Sequence, residues 1–146
     1  MNSSEWSGPE LVLAVVGAAK GLERIVDGNL SAIKGITLAE FRLLSAIAEA
    51  PAKRASRADI ARAVGLSPSA VTRALRPLER LGITKTVKNE RDARLALATL
   101  TPQGEELLSD AIGVLEDVLP SILERAPSVA GGKDEFRTML NELAQL

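Results

Sequence analysis

At 146 residues the chain can bury one real core, and its apolar content (46%, with only 2% aromatic) is carried by Ala, Leu and Val, which favours helices over an all-β fold. It holds neither Cys nor His, which excludes disulfides, thiol redox sensing and zinc–thiolate sites and removes the commonest general base, so no metal or cofactor is expected. The net charge of −1 hides a segregation: residues 52–94 carry eleven basic and four acidic residues, a net of +7, leaving −8 elsewhere. A basic middle between acidic flanks is the footprint of a nucleic-acid reader on a separate scaffold.

From Pro9 to about Lys34 the residues Leu11, Val15, Leu22, Val26, Leu30 and Ile33 recur at helical period, and Val12, Val16, Ala19 and Ile25 widen the stripe. A face this broad needs a large surface to cover it, either the core of the same chain or a second subunit. The run LVLAVVGAA at 11–19 is too short to span a bilayer and follows Glu5 and Glu10 rather than positive charge, so neither export nor a membrane partner is expected. The lack of Cys fits a cytoplasmic location. Thr37 and Glu40 form a capping box for a second helix reaching about Glu49, with Leu38, Phe41, Leu44, Ile47 and Ala48 inward, and Pro51 ends it. Ser56 and Asp59 repeat the arrangement ahead of a third helix, RADIARAVG.

Gly65 supplies a tight turn, and Ser67 and Pro68 cap and open a fourth helix, SPSAVTRALRPLERLG at 67–82. Two short helices across a glycine turn predict a helix-turn-helix, with Ile60, Ala61, Val64, Leu66 and Val71 as its shared core. Val71, Leu75 and Leu78 form the apolar back of the fourth helix; Ser69, Thr72, Arg73, Arg76 and Arg80 form its front. Pro77 removes a backbone hydrogen bond and can bend the helix, so its first two turns are the ones expected to read sequence.

After Gly82 the pattern alternates. ITKTVK and LALATL predict two strands, with NERDAR between them as the tip of a wing. Thr101-Pro102 restarts a helix whose apolar positions run from Leu107 to Leu123, with a bend or a new start expected at Pro120. A loop at PSVAGGK then precedes a last amphipathic helix bearing Phe136, Met139, Leu140 and Leu143.

The string RDARLALATLTPQG at 91–104 resembles the wing signature of the MarR family of winged-helix transcriptional regulators, in which D-x-R is followed after five residues by L-T-x-x-G. Asp92, Arg94, Leu100, Thr101 and Gly104 occupy its places, and S-x-S-x-V-T-R with L-E-x-x-G at 67–82 is similar to the family's recognition helix. The resemblance spans nearly the whole chain. It implies a mainly α fold with a small β-hairpin wing: a single chain, 1–146, with a winged helix-turn-helix lobe at 37–100 and a helical dimerisation region at 9–34 and 102–146. It further implies a homodimer acting on double-stranded DNA, commonly as a repressor released by a small-molecule effector. Arg94 would enter the minor groove from the wing, and Asp92 would orient nearby arginine side chains.

Ser67, Ser69, Thr72 and Arg73 are candidates for base or phosphate contact in the major groove, and Arg76 for base or backbone. Arg91 and Arg94 are candidates for the minor groove. Lys53, Arg54, Arg57, Lys85 and Lys88 are assigned to the DNA backbone, or to its attracting field alone, and Arg62 to a pair with Asp59 or another acid. An effector pocket would draw on aliphatic walls with Trp6, Phe41 or Arg42. The S-x-x-K string at Ser31–Lys34 lacks the companion motif that catalysis would need, so no enzyme is expected. The alternative function is a winged-helix protein-interaction module without sequence-specific DNA binding, which would not need +7 concentrated on helix and wing.

Overall fold

The computed structural model describes residues 7–92 and 94–145. Helix α1 (Gly8–Lys34) begins at a reciprocal cap in which Ser7 accepts the Glu10 N–H and the Glu10 carboxylate accepts the Ser7 N–H. Those bonds to Ser7, the backbone one first, hold the Glu10 carboxyl below its ordinary pKa. Helix α2 (Leu38–Glu49) starts at the expected Thr37–Glu40 capping box and is tied to α1 by Asp27, whose carboxylate accepts the Leu38 N–H at 2.7 Å. A 3-10 turn at Pro51–Lys53 follows, with Ala52 and Lys53 both left-handed (φ 53° and 54°).

Strand β1 (Ala55–Ser56) leads into α3 (Arg57–Val64) and α4 (Pro68–Arg80). Between the two helices Gly65 is left-handed at φ 71°, and the Leu66 N–H reaches back to the Ala61 carbonyl, closing α3 as its apolar pattern stops. The Ser56 cap is only half of a box: its hydroxyl accepts the Asp59 N–H and donates to the Asp59 carboxylate, lowering that group's pKa. Strands β2 (Thr84–Lys88) and β3 (Ala96–Leu100) form the expected hairpin, paired from Thr84↔Leu100 to Lys88↔Ala96. The sheet has a third member, because β1 pairs with β3 through Ala55↔Ala98 and Ser56↔Leu97, giving the order β1-β3-β2. Two residues are too few for an alternating pattern to reveal.

Helix α5 (Pro102–Arg125) runs through Pro120 without a break, and the chain turns at Ala126 instead. The segment expected as a loop is the short helix α6 (Pro127–Gly131), which leads to α7 (Lys133–Leu143). Helix α4 likewise continues through Pro77 to Arg80, although its interior hydrogen bond is lost there. Pro77 is exposed, so the carbonyl left without a donor can be served by water. The helix beyond it is closed by two backbone bonds, Gly82 N–H to Glu79 at 3.0 Å and Ile83 N–H to Leu78 at 2.9 Å.

One core joins α2, α3, α4, the sheet and the start of α5, built on Leu43, Leu44, Ile47, Ile60, Val71, Leu75 and Leu78. Leu66, expected in this cluster, is 46% exposed, since it lies past the glycine turn and points off the end of α3. A second core packs Leu30 and Ile36 against Ala111 and Val114 of α5, with Phe41 and Leu107 bridging the two. Beyond these cores the apolar stripes lie open. Leu11, Val12, Val15 and Val16 of α1, Ile112 and Leu119 of α5, and Phe136, Met139, Leu140 and Leu143 of α7 are all exposed.

The junction that fixes α5 to the lobe lies at Thr101–Gly104. The Thr101 N–H donates to the Ile83 carbonyl at 3.0 Å, and its hydroxyl accepts the Gly104 N–H at 3.1 Å and donates to the carbonyls of Gly82 and Ile83. A Cβ on Gly104 would fall 2.0 Å from the Ile83 backbone oxygen, a contact only a backbone shift relieves. Gly104→Ala is therefore expected to destabilise the chain by about 3 kcal/mol or more, beyond an ordinary overpacking cost. Chemical denaturation measures it, and a loss under about 0.5 kcal/mol, the range of inert surface changes, would contradict this packing.

Candidate nucleic-acid interface

Helix α4 is held by its back. Val71, Leu75 and Leu78 are buried to within 2% of full enclosure, and truncating any one of them to Ala should cost roughly 2–5 kcal/mol. With that face committed, Arg73, Arg76 and Arg80 are all exposed on the other side. The first turn is closed by the Ser67 hydroxyl, which accepts the Ala70 N–H at 3.2 Å and shares a hydrogen bond with Ser69 at 3.1 Å. Thr72 donates to the Pro68 carbonyl at 3.0 Å, leaving its oxygen as an acceptor. The short hydroxyl side chains are thus pre-oriented by the helix start, and the arginines stand clear of them.

The wing tip is built from two side-chain-to-backbone turns. Asn89 accepts the Arg91 N–H at 2.8 Å, and Asp92 accepts the Arg94 N–H at 3.0 Å. Asp92 therefore sets the main-chain turn that presents Arg94; the bond is to that residue's backbone, not to an arginine side chain. Arg91 and Arg94 are exposed, as are Lys85 and Lys88 along β2.

Ion pairing divides the eleven basic residues of the segment. Four have acidic partners: Lys53 with Glu105 at 3.1 Å, Arg54 with Glu90 at 3.8 Å, Arg57 with Glu79 at 3.4 Å and Arg62 with Asp59 at 3.3 Å. Among the described residues no ion pair engages the other seven, Arg73, Arg76, Arg80, Lys85, Lys88, Arg91 and Arg94. All seven lie on α4 or the wing. Three residues assigned to the DNA backbone, Lys53, Arg54 and Arg57, are thus already paired within the chain, and Arg57 is only 19% exposed. Arg80, given little weight because of Pro77, stands on the same unbroken helix as Arg73 and Arg76.

The remaining calls fall elsewhere. Ser31 donates to the Ile36 carbonyl at 3.3 Å and Lys34 pairs with Asp110 at 2.8 Å, so the S-x-x-K string joins α1 to its surroundings. An open notch of about 460 Å³ between α1 and α2 is lined by Lys20, Glu23, Arg24, Asp27, Leu38 and Ala39. It is charged rather than aliphatic and includes neither Phe41, which packs between the two cores, nor Arg42, which is exposed. Trp6 lies outside the described residues.

A helix-turn-helix flanked by a three-stranded sheet, with one short strand before it and a hairpin after it beside the second helix, defines a winged helix-turn-helix protein. The model of the MarR family matches residues 34–95. The HTH-type transcriptional repressor Rv2887 of Mycobacterium tuberculosis is 32% identical over 109 residues, covering 75% of this chain and 76% of that protein. The uncharacterised HTH-type regulator YdgJ of Bacillus subtilis is 25% identical over 127 residues, covering 87% of this chain and 73% of its own. Among solved structures, Sco3205, a MarR family regulator from Streptomyces coelicolor in complex with DNA, superposes with a TM-score of 0.74 at 25% identity, covering 94% of this chain and 89% of that one. The chain belongs to the MarR family of transcriptional regulators.

Because Asp92 holds the turn, Asp92→Ala should leave global stability within about 0.5 kcal/mol, as for other exposed sites, while loosening the tip. Amide exchange at Arg94 measures this, with faster exchange confined to the wing as the expected result.

Proposed function

We propose that the chain is a DNA-binding repressor that grips an inverted-repeat operator as a two-fold homodimer. The observation that carries this reading concerns the basic segment 52–94 of a winged helix-turn-helix: the seven of its cations that no ion pair engages among the described residues all lie on α4 or the wing. Charge left uncompensated on one side of a chain of net −1 serves a polyanion. The N-terminal half of α4 enters the major groove with Ser67, Ser69, Thr72, Arg73 and Arg76, and the wing lays Arg91 and Arg94 along the adjacent minor groove. Lys85 and Lys88 meet phosphates. The Streptomyces relative solved on DNA supports this docking, and the repressor named among the relatives supports its sign.

The dimer rests on the open apolar faces of α1, α5 and α7, which together are too extensive for a monomer to leave to water. Those helices form the dimerisation region, and the lobe at 37–100 is the reading head. Release by a small-molecule effector rests on the family resemblance; the α1–α2 notch is one recess between head and dimer helices. No helix among the described residues is long and apolar enough to cross a membrane, and action in the cytoplasm is part of the same proposal.

Operator selection from random duplexes should return an inverted repeat with half-sites about 34–36 Å apart, one turn centre to centre. Affinity should fall by roughly 10³-fold or more between 50 and 200 mM salt. Arg94→Ala should weaken operator binding by about 1–3 kcal/mol with the thermal midpoint unchanged. Binding that is insensitive to both salt and sequence would overturn the proposal, and a monomer in sizing would remove the two-fold part.

A further inference from the structure

Arg57 differs from every other cation of the basic segment. It is the first residue of α3, yet its Nη2 donates to Thr86 Oγ1, at the centre of β2, at 2.8 Å and lies 3.4 Å from Glu79 Oε1 in the last turn of α4. The Thr86 hydroxyl in turn donates to the same Glu79 oxygen, closing a three-membered ring of donors and acceptors. One guanidinium therefore joins the three pieces whose relative placement a groove reader must control: the supporting helix, the end of the reading helix and the wing.

Two features argue that this ring serves geometry rather than stability. The Nη1 of Arg57 is buried with no partner, an unmet hydrogen bond that offsets much of what a half-buried ion pair contributes. Glu79 also lies just beyond Pro77, in the turn of α4 that has lost its helical bond to the preceding turn and so needs holding from outside.

We infer that Arg57 is a positioning residue that sets the angle between wing and recognition helix through Thr86 and Glu79, and does not contact phosphate. This rests on the DNA-binding reading above, and its consequences divide cleanly from those of a phosphate contact. Arg57→Lys keeps the charge, but its ammonium nitrogen sits one bond short of Nη2, the single nitrogen that reaches both acceptors. Thr86→Val removes no charge at all.

The test measures operator affinity, its salt slope and DNA-free amide exchange for the full chain, Arg57→Lys, Thr86→Val and the double variant. Each single variant should lose affinity roughly tenfold with the salt slope unchanged, and the double variant should be little worse than either, since both break one network. Without DNA, exchange should quicken in β2, β3 and the last turn of α4 while α2 and α5 keep their protection. The inference is overturned if Arg57→Lys binds as the unmodified chain does while Arg57→Met lowers the salt slope by about one, the mark of a phosphate contact. It is also overturned if exchange rises uniformly, the mark of a merely structural role. Failure of the unmodified chain to bind any operator would instead strike the DNA reading, and the exchange comparison would still decide whether Arg57 holds the wing.

Discussion

Burial of Val71, Leu75 and Leu78 against α2, α3 and the sheet is the constraint on which the rest depends. Each of these side chains is worth several times an exposed ion pair, which contributes ~0–1 kcal/mol. The orientation of α4 is therefore decided by its apolar back, and the arginines on its front take no part in holding the fold. That division of labour frees them for a partner. It also explains how the helix tolerates Pro77: the residues on either side are anchored by Leu75 and Leu78, and the proline ring faces water.

The wing is coupled to this anchored helix at three points that share neighbours. Leu78 accepts the Ile83 N–H, the Ile83 carbonyl accepts the Thr101 N–H, and Gly104 packs against that same carbonyl. The end of the reading helix, the first wing strand and the start of α5 are thus fixed together within a few residues. Since α5 also packs on α1 through Ala111 and Val114, one continuous set of contacts joins the helical flank to the reading head.

Much of this was legible in the sequence because it is local. The caps at Thr37, Ser67 and Thr101 form within one turn, the left-handed stop at Gly65 follows from steric freedom, and the alternation of ITKTVK and LALATL names the hairpin. Strand β1 was not legible, because its pairing depends on β3 more than forty residues away and on nothing in its own pattern. Charge pairing was legible only where it is local: Arg62 pairs with Asp59 as expected, whereas Arg57 and Glu79 are 22 residues apart and Lys53 and Glu105 are 52, so composition gives no warning that those cations are engaged. Of the two prolines, only the new start expected as one possibility at Pro120 is absent, since α5 continues through it. Pro77 likewise lies inside α4, between the buried Leu75 and Leu78, and does not end it.

On the proposed reading, two copies of the α4 front and wing read one face of a duplex. Chemical footprinting of the chain on its selected operator tests it most directly, with guanine N7 interference reporting the major groove and hydroxyl-radical cleavage the minor. The expected result is two interference patches about 10–10.5 base pairs apart, each flanked by minor-groove protection that Arg94→Ala erases. Continuous protection without periodicity, or loss of the major-groove patches in Arg94→Ala with the minor-groove protection intact, would contradict it.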